Sequence, residues 1–242
     1  MKRLYRCWLG LMILAPVLLL REAGAVISRP SLQAAAGDEG APRPELSPQG
    51  TYRVLALADL DAPDVVKQAL RAQIQREDAG SLRVEADELP SLDTLRARLP
   101  RKQHGDAVLR QRLPSPPSNL QASVLGVAEV IGMEPSGVLD GLRSSGLTRF
   151  YRVPGVGIVA FSENNFLAAG TQIEIIAEAQ NTRVNGTPAH LGKTVDSAGR
   201  SRVELAWTRG SKHYGLAAFG DAGSDVQHNA RVLQEIAAAV RD

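Results

Sequence analysis

The apolar positions of this chain change period several times, and each change predicts a different kind of element. Residues 8–20 are a continuous apolar run, Trp8 to Leu20, preceded by Lys2, Arg3 and Arg6 and followed by the small residues Ala23-Gly24-Ala25. From Thr51 to Leu57 the pattern fits a strand, and Val66, Leu70 and Ile74 then recur at helical spacing behind Asp61 and Pro63. Gly80 closes that helix, Leu82 and Val84 alternate with charged residues as a second strand, and Ser91 to Leu99 forms a second helix stopped by Pro100. After the Pro114-Ser115-Pro116-Pro117 break, Leu120, Val124, Val127 and Ile131 share a helical face, with Gly132 as the stop, and a shorter helix is expected from Pro135 to Ser145.

From Thr148 the period falls to two. Strands at Gln172–Ala177, Val203–Trp207 and His213–Phe219 are separated by the turn sequences Pro154-Gly155-Val156-Gly157, Asn185-Gly186, Ser197-Ala198-Gly199 and Arg209-Gly210. Beyond Asp225, Val226, Ala230, Leu233, Ile236, Ala237 and Val240 return to helical intervals, so a helix is expected to cover one face of the sheet. The expected fold is α+β. Its parts are an N-terminal strand-helix-strand unit over 51–113, then a helical hairpin and an antiparallel meander covered by the C-terminal helix over 118–242.

The first 25 residues have the basic head, apolar run and small-residue cleavage site of an export signal. Thirteen apolar residues at about 1.5 Å each fall short of a hydrocarbon core of about 30 Å, which favours a signal over a membrane span. Residues 26–50, rich in Ala, Pro, Ser and Gly, have the composition of a flexible tether without fixed structure. The expected location is periplasmic or extracellular, with tethering to the membrane if the signal stays in place. Cleavage after Ala25 removes Cys7, the only cysteine, so the remaining chain has no disulfide, thiolate ligand or thiol nucleophile.

Charge narrows the partners. The chain is formally +2, and taking away the leader's net +3 leaves about −1, a balance with no global drive toward nucleic acid. One local departure stands out: Arg96, Arg98, Arg101, Lys102, Arg110 and Arg112 against Asp106 give a net +5. This patch is the candidate contact with an envelope protein or with anionic lipid.

Other motifs carry less. Gly186 to Gly192-Lys193-Thr194 has one residue too many between its glycines for a phosphate loop and lies in a hairpin. The spacing from Val127 to Leu142 is similar to a helix-turn-helix, yet its second helix offers only Ser136 and Asp140 to base edges. His104, His190, His213 and His228 lack metal-ligand spacing, and no cofactor is expected. His213, Asp221, Ser224 and Asp225 suggest a hydrolytic set, but the elbow that exposes a serine nucleophile is missing, so an enzyme is not expected.

Val184-Asn185-Gly186-Thr187-Pro188-Ala189, then Leu205-Ala206-Trp207, then His213-Tyr214-Gly215-Leu216 and a helix bearing Val232, Leu233, Ile236 and Ala237 occur in that order over about a quarter of the chain. This series resembles the strand-turn-strand-helix ending of extracytoplasmic bacterial domains of unknown function, some found in anti-sigma-factor-associated and sigma-E-regulatory envelope proteins. The resemblance implies a sensory or protein-binding domain and identifies no ligand. The expected function is therefore a non-enzymatic, protein-binding envelope domain. The alternative is a carrier of lipid or another apolar ligand, with Phe150, Phe161 and Phe166 lining its cavity. The intact mass of the chain recovered from an expressing cell is expected to begin at Val26; a mass beginning at Met1 rules out cleavage at this site.

Overall fold

A computed structural model describes residues 29–30, 52–86, 88–99, 106–140 and 143–242. The export signal expected over 1–25 lies outside these residues, as do Arg101, Lys102 and His104. Of the tether expected over 26–50, only strand β1 (Arg29–Pro30) is described, and it pairs with a later strand, so these two residues depart from the expectation of no fixed structure.

The elements run β2 (Tyr52–Leu55), α1 (Asp64–Asp78), β3 (Leu82–Val84), α2 (Leu92–Arg98), α3 (Asp106–Gln111), β4 (Glu129–Asp140), β5 (Arg143–Val153), β6 (Gly157–Asn165) and β7 (Thr171–Ile176). They continue with β8 (Thr182–Val184), β9 (Thr187–Asp196), β10 (Ser201–Arg209), β11 (Lys212–Gly220) and α4 (Val226–Ala239). The large sheet has the order β3-β9-β10-β11-β6-β5-β4, with β8 also on β9. It is antiparallel except where β3 joins β9. A small sheet places β7 between β1 and β2. The fold is α+β, as the change of period predicts.

The turn residues act as their chemistry requires. Asn185 and Gly186 both have positive φ in the two-residue β8–β9 hairpin, which matches the twist of the flanking strands. At Gly157, with φ +116°, a Cβ would meet the carbonyl oxygen of Phe219 at 2.2 Å, so glycine is required there by both conformation and space.

The region 118–145 departs from expectation. The helical hairpin and the helix-turn-helix likeness are both replaced by a short 3₁₀ turn at Val124–Gly126 and the β4–β5 hairpin. The apolar spacing fits a helix, but Gly126, Gly132, Pro135 and Gly137 are poor inside one, and the valines suit a strand. Pairing decides the outcome, because β5 is hydrogen-bonded on both edges, to β4 and to β6. β4 is an edge strand, and its two register shifts and Pro135, which lacks an N–H, fit that position.

Alternation along the central strands separates two faces. Tyr151, Val159, Phe161, Val203, Leu205, Trp207, Tyr214 and Leu216 face α4, whose Ala230, Leu233, Ile236 and Ala237 close the core. Asp225 caps this helix, its carboxylate accepting the N–H groups of Gln227 and His228. Trp207 and Tyr214 are directly opposed, with rings stacked 4.9 Å apart at 13°. The opposite face is partly covered by α2, whose first residue Leu92 and C-cap Leu99 lie near Gly157 and Gly132. A second cluster joins Leu57, Leu60, Leu70, Ile74 and Ile176 between α1 and β7. Replacing Trp207 by Ala is expected to cost about 3–5 kcal/mol of unfolding free energy in urea melts, the range for removing a buried aromatic; a loss under 1 kcal/mol counts against its place at the centre of the core.

Candidate functional site

The densest polar chemistry among the described residues lies at one end of the α4-covered face, where the core pattern of β5, β6 and β11 is interrupted by charge. Alternation points Arg149, Glu163 and Lys212 inward, and all three are buried. Glu163 Oε1 accepts from Arg149 Nη2 at 2.7 Å, and Oε2 lies 3.3 Å from Lys212 Nζ. Ser118, just after the proline-rich segment, brings its backbone N–H to Glu163 Oε2 at 2.9 Å. Its hydroxyl lies 2.7 Å from the same oxygen and 2.8 Å from Asp242 Oδ1, donating to one at a time.

Asp242 completes the cluster. Its Oδ1 accepts from Tyr214 Oη at 2.6 Å and Lys212 Nζ at 3.1 Å, and its Oδ2 from Arg209 Nη2 at 2.8 Å. Lys212 also donates to the Pro116 carbonyl at 3.2 Å, while Arg149 lies over the Phe161 ring and donates to the Ser118 carbonyl. Beside these groups a cleft of about 10 Å³, enough for one water, opens between Leu113–Pro117 and Ser145, Glu163, Asn165 and Lys212.

Ser118 Oγ and Lys212 Nζ are 3.2 Å apart, the spacing of a serine nucleophile and a lysine base. Both groups are already engaged, Lys212 in ion pairs with Glu163 and Asp242 and the Ser118 hydroxyl against the same two carboxylates. The cluster acts as a tie that fixes the 114–118 segment and the end of α4 to the sheet.

The residues singled out in the sequence are dispersed. Arg96 and Arg98 are exposed on α2, with Arg96 in a surface pair to Asp93 at 3.3 Å. Arg110 is exposed on α3 and Arg112 half-buried after it. His213, Asp221, Ser224 and Asp225 do not converge: His213 bonds Thr208 Oγ1, Asp221 accepts the Leu92 N–H, and Asp225 caps α4. Lys193 lies within β9, well beyond the β8–β9 turn that holds Gly186. His190 lies between Glu77 and the Ala179 carbonyl. Phe150 and Phe161 point to opposite sheet faces, and Phe166 packs edge-on against Tyr52, so the three do not line one cavity. Among the described residues no three or more His, Cys, Asp or Glu side chains stand together as a metal site.

Sequence reasoning missed Ser118, Arg149, Glu163, Lys212 and Asp242. The available signal was a charge at an inward strand position, as in Leu147-Thr148-Arg149-Phe150-Tyr151 and Phe161-Ser162-Glu163. That signal needs the face assignment before it can be read.

Burial opposes the charge on Asp242, but hydrogen bonds from Tyr214, Arg209, Ser118 and Lys212 outweigh it and hold the carboxyl well below its usual range. Burial raises Tyr214, and the bond to Asp242 raises it further. On the opposite face, burial lowers His213 from 6.5 to about 4. A depressed folded pKa contributes stability above the unfolded value that is lost as pH falls. His213 therefore withdraws stability between pH 6.5 and about 4. Asp242 does so below about 3.9. Burial raises the pKa of Glu134 and gives it the opposite sign, so a comparison of variants is needed to isolate the histidine.

In pH-dependent urea unfolding, His213→Gln is expected to flatten the decline between pH 6.5 and about 4; an unchanged slope excludes a neutral imidazole at this position. Glu163→Gln leaves Arg149 and Lys212 without their shared carboxylate and is expected to cost about 3–5 kcal/mol at neutral pH. Adding Arg149→Met should recover part of that loss, and a single variant as stable as the parent shows that Glu163 is no such tie.

Comparison of the chain with protein-family models, with curated proteins and with solved structures found no match.

Proposed function

We propose that this protein is an exported, non-enzymatic binding domain of the cell envelope, which meets an acidic surface of a protein partner through the arginines of α2. The observation that carries the reading is the setting of Arg96 and Arg98, which are exposed on a helix anchored to the sheet by Leu92 and Leu99. Anchoring matters because a side chain on a docked helix loses less conformational freedom on binding than one on a loose segment. Arg96 loses little to Asp93, since an exposed ion pair is worth about 1 kcal/mol or less.

Export is supported by the basic head, apolar run and small-residue site of residues 1–25. The sensory or protein-binding role is supported by the resemblance of the β8-to-α4 series to extracytoplasmic domains. The nearest arrangement to a catalytic pair, Ser118 with Lys212, favours a structural role because Glu163 and Asp242 engage both side chains.

The tagged full chain recovered from the envelope fraction is expected to bring down an acidic protein at low salt and to lose it at high salt. Arg96→Glu/Arg98→Glu should lose that protein at both. Equal recovery by parent and variant overturns the role of α2, and recovery of bound lipid with no protein favours a carrier.

A further inference from the structure

The end of the molecule formed by α3 and the tip of the β4–β5 hairpin joins two properties that the sequence kept apart. Arg112, immediately after α3, accepts the Ser144 N–H on its carbonyl oxygen at 3.1 Å, and α3 packs against β4, so helix and hairpin tip form one surface. Ser144 is directly opposite Leu139, and Arg143 opposite Asp140. At this surface Leu139 is 61%, Val108 45% and Val138 37% exposed. Arg143 and Arg110 are exposed and Arg112 is half-buried. The acidic residues of α3, β4 and β5 are Asp106, Glu129, Glu134 and Asp140, of which Glu129 and Glu134 lie toward the other end of β4.

Single exposed apolar residues are ordinary. Three of them among arginines on one surface make it amphipathic, and charge complementarity selects its occupant. An acidic protein would satisfy the arginines but leave the apolar tips against polar surface. An anionic bilayer offers both phosphates and hydrocarbon at the depth such side chains reach. We propose that α3 and the paired ends of β4 and β5 dock on an anionic lipid surface, with Val138 and Leu139 entering the headgroup region and Arg112 and Arg143 meeting lipid phosphates. This goes beyond the protein-binding role of α2 and rests only on the envelope location in that reading.

The test must separate this surface from the apolar run at residues 8–20, which can itself enter vesicles. In the full chain with Cys7→Ser, an environment-sensitive fluorophore is attached at Leu139→Cys, and in a second sample at Val65→Cys on α1, which is 71% exposed and on a different element. With vesicles containing phosphatidylglycerol at low salt, the label at 139 is expected to shift to the blue, the label at 65 to remain as in water, and high salt to reverse the shift. Arg112→Gln/Arg143→Gln should weaken the partition read at 139 by about 25-fold, taking about fivefold for each arginine. Three results overturn the proposal: no shift at 139 although the chain pellets with vesicles, an equal shift with neutral phosphatidylcholine vesicles, or a partition unchanged in the double variant. A purified protein partner that protects the label at 139 while anionic vesicles leave it unshifted also overturns it. None of these results bears on Arg96 and Arg98, whose role is read from protein recovery.

Discussion

Glu163 is the residue on which the arrangement of this end of the molecule depends. It lies on β6, directly opposite Tyr214 on β11 and Leu147 on β5, at the centre of the strands that join the two halves of the large sheet. One buried carboxylate faces two buried cations and also receives the backbone N–H of Ser118. Each partner is tolerable inside only because the others are present, since an unpaired buried charge costs several kcal/mol. The requirement is geometric as well as electrostatic, because it fixes where β5, β11 and the 114–118 segment meet.

The same sheet explains why the two faces differ in use. One is closed by α4 over Trp207, Tyr214 and Phe161 and is given to stability. The other is covered in part by short helices that bring arginines to the surface. These helices are held by few residues, with Leu92 and Leu99 against glycines that leave them room and the Arg112 carbonyl on the end of β5. A stable sheet with a thin, charged outer layer suits a protein whose proposed work is contact rather than catalysis.

His213 shows how position outweighs identity. By sequence it stands with Asp221, Ser224 and Asp225 as a hydrolytic set, yet strand alternation turns it to the face opposite Tyr214, where it pairs with Thr208. Asp225 is taken up as a helix cap and Asp221 by the N–H of Leu92. The polar cluster that does form draws its members from four strands, the Ser118 segment and the residue Asp242 beyond α4.

Local information determined much of this protein. The strands from β7 to β11, their turns at Asn185-Gly186, Gly199 and Gly210, the helices α1, α2 and α4, and the α+β class follow from apolar period, capping residues and glycines with positive φ. These are short-range effects, complete within a few residues. Tertiary pairing decided the rest. Glu129–Asp140 carries a helical spacing but becomes a strand, because β5 offers an unpaired edge whose hydrogen bonds must be met. Arg149, Glu163, Lys212 and Asp242 come from distant points of the chain, and their contact depends on strand order, which no local pattern encodes. The surface that joins Leu139 to Arg112 has the same origin, since only the packing of α3 on the β4–β5 hairpin makes neighbours of an apolar tip and a basic segment.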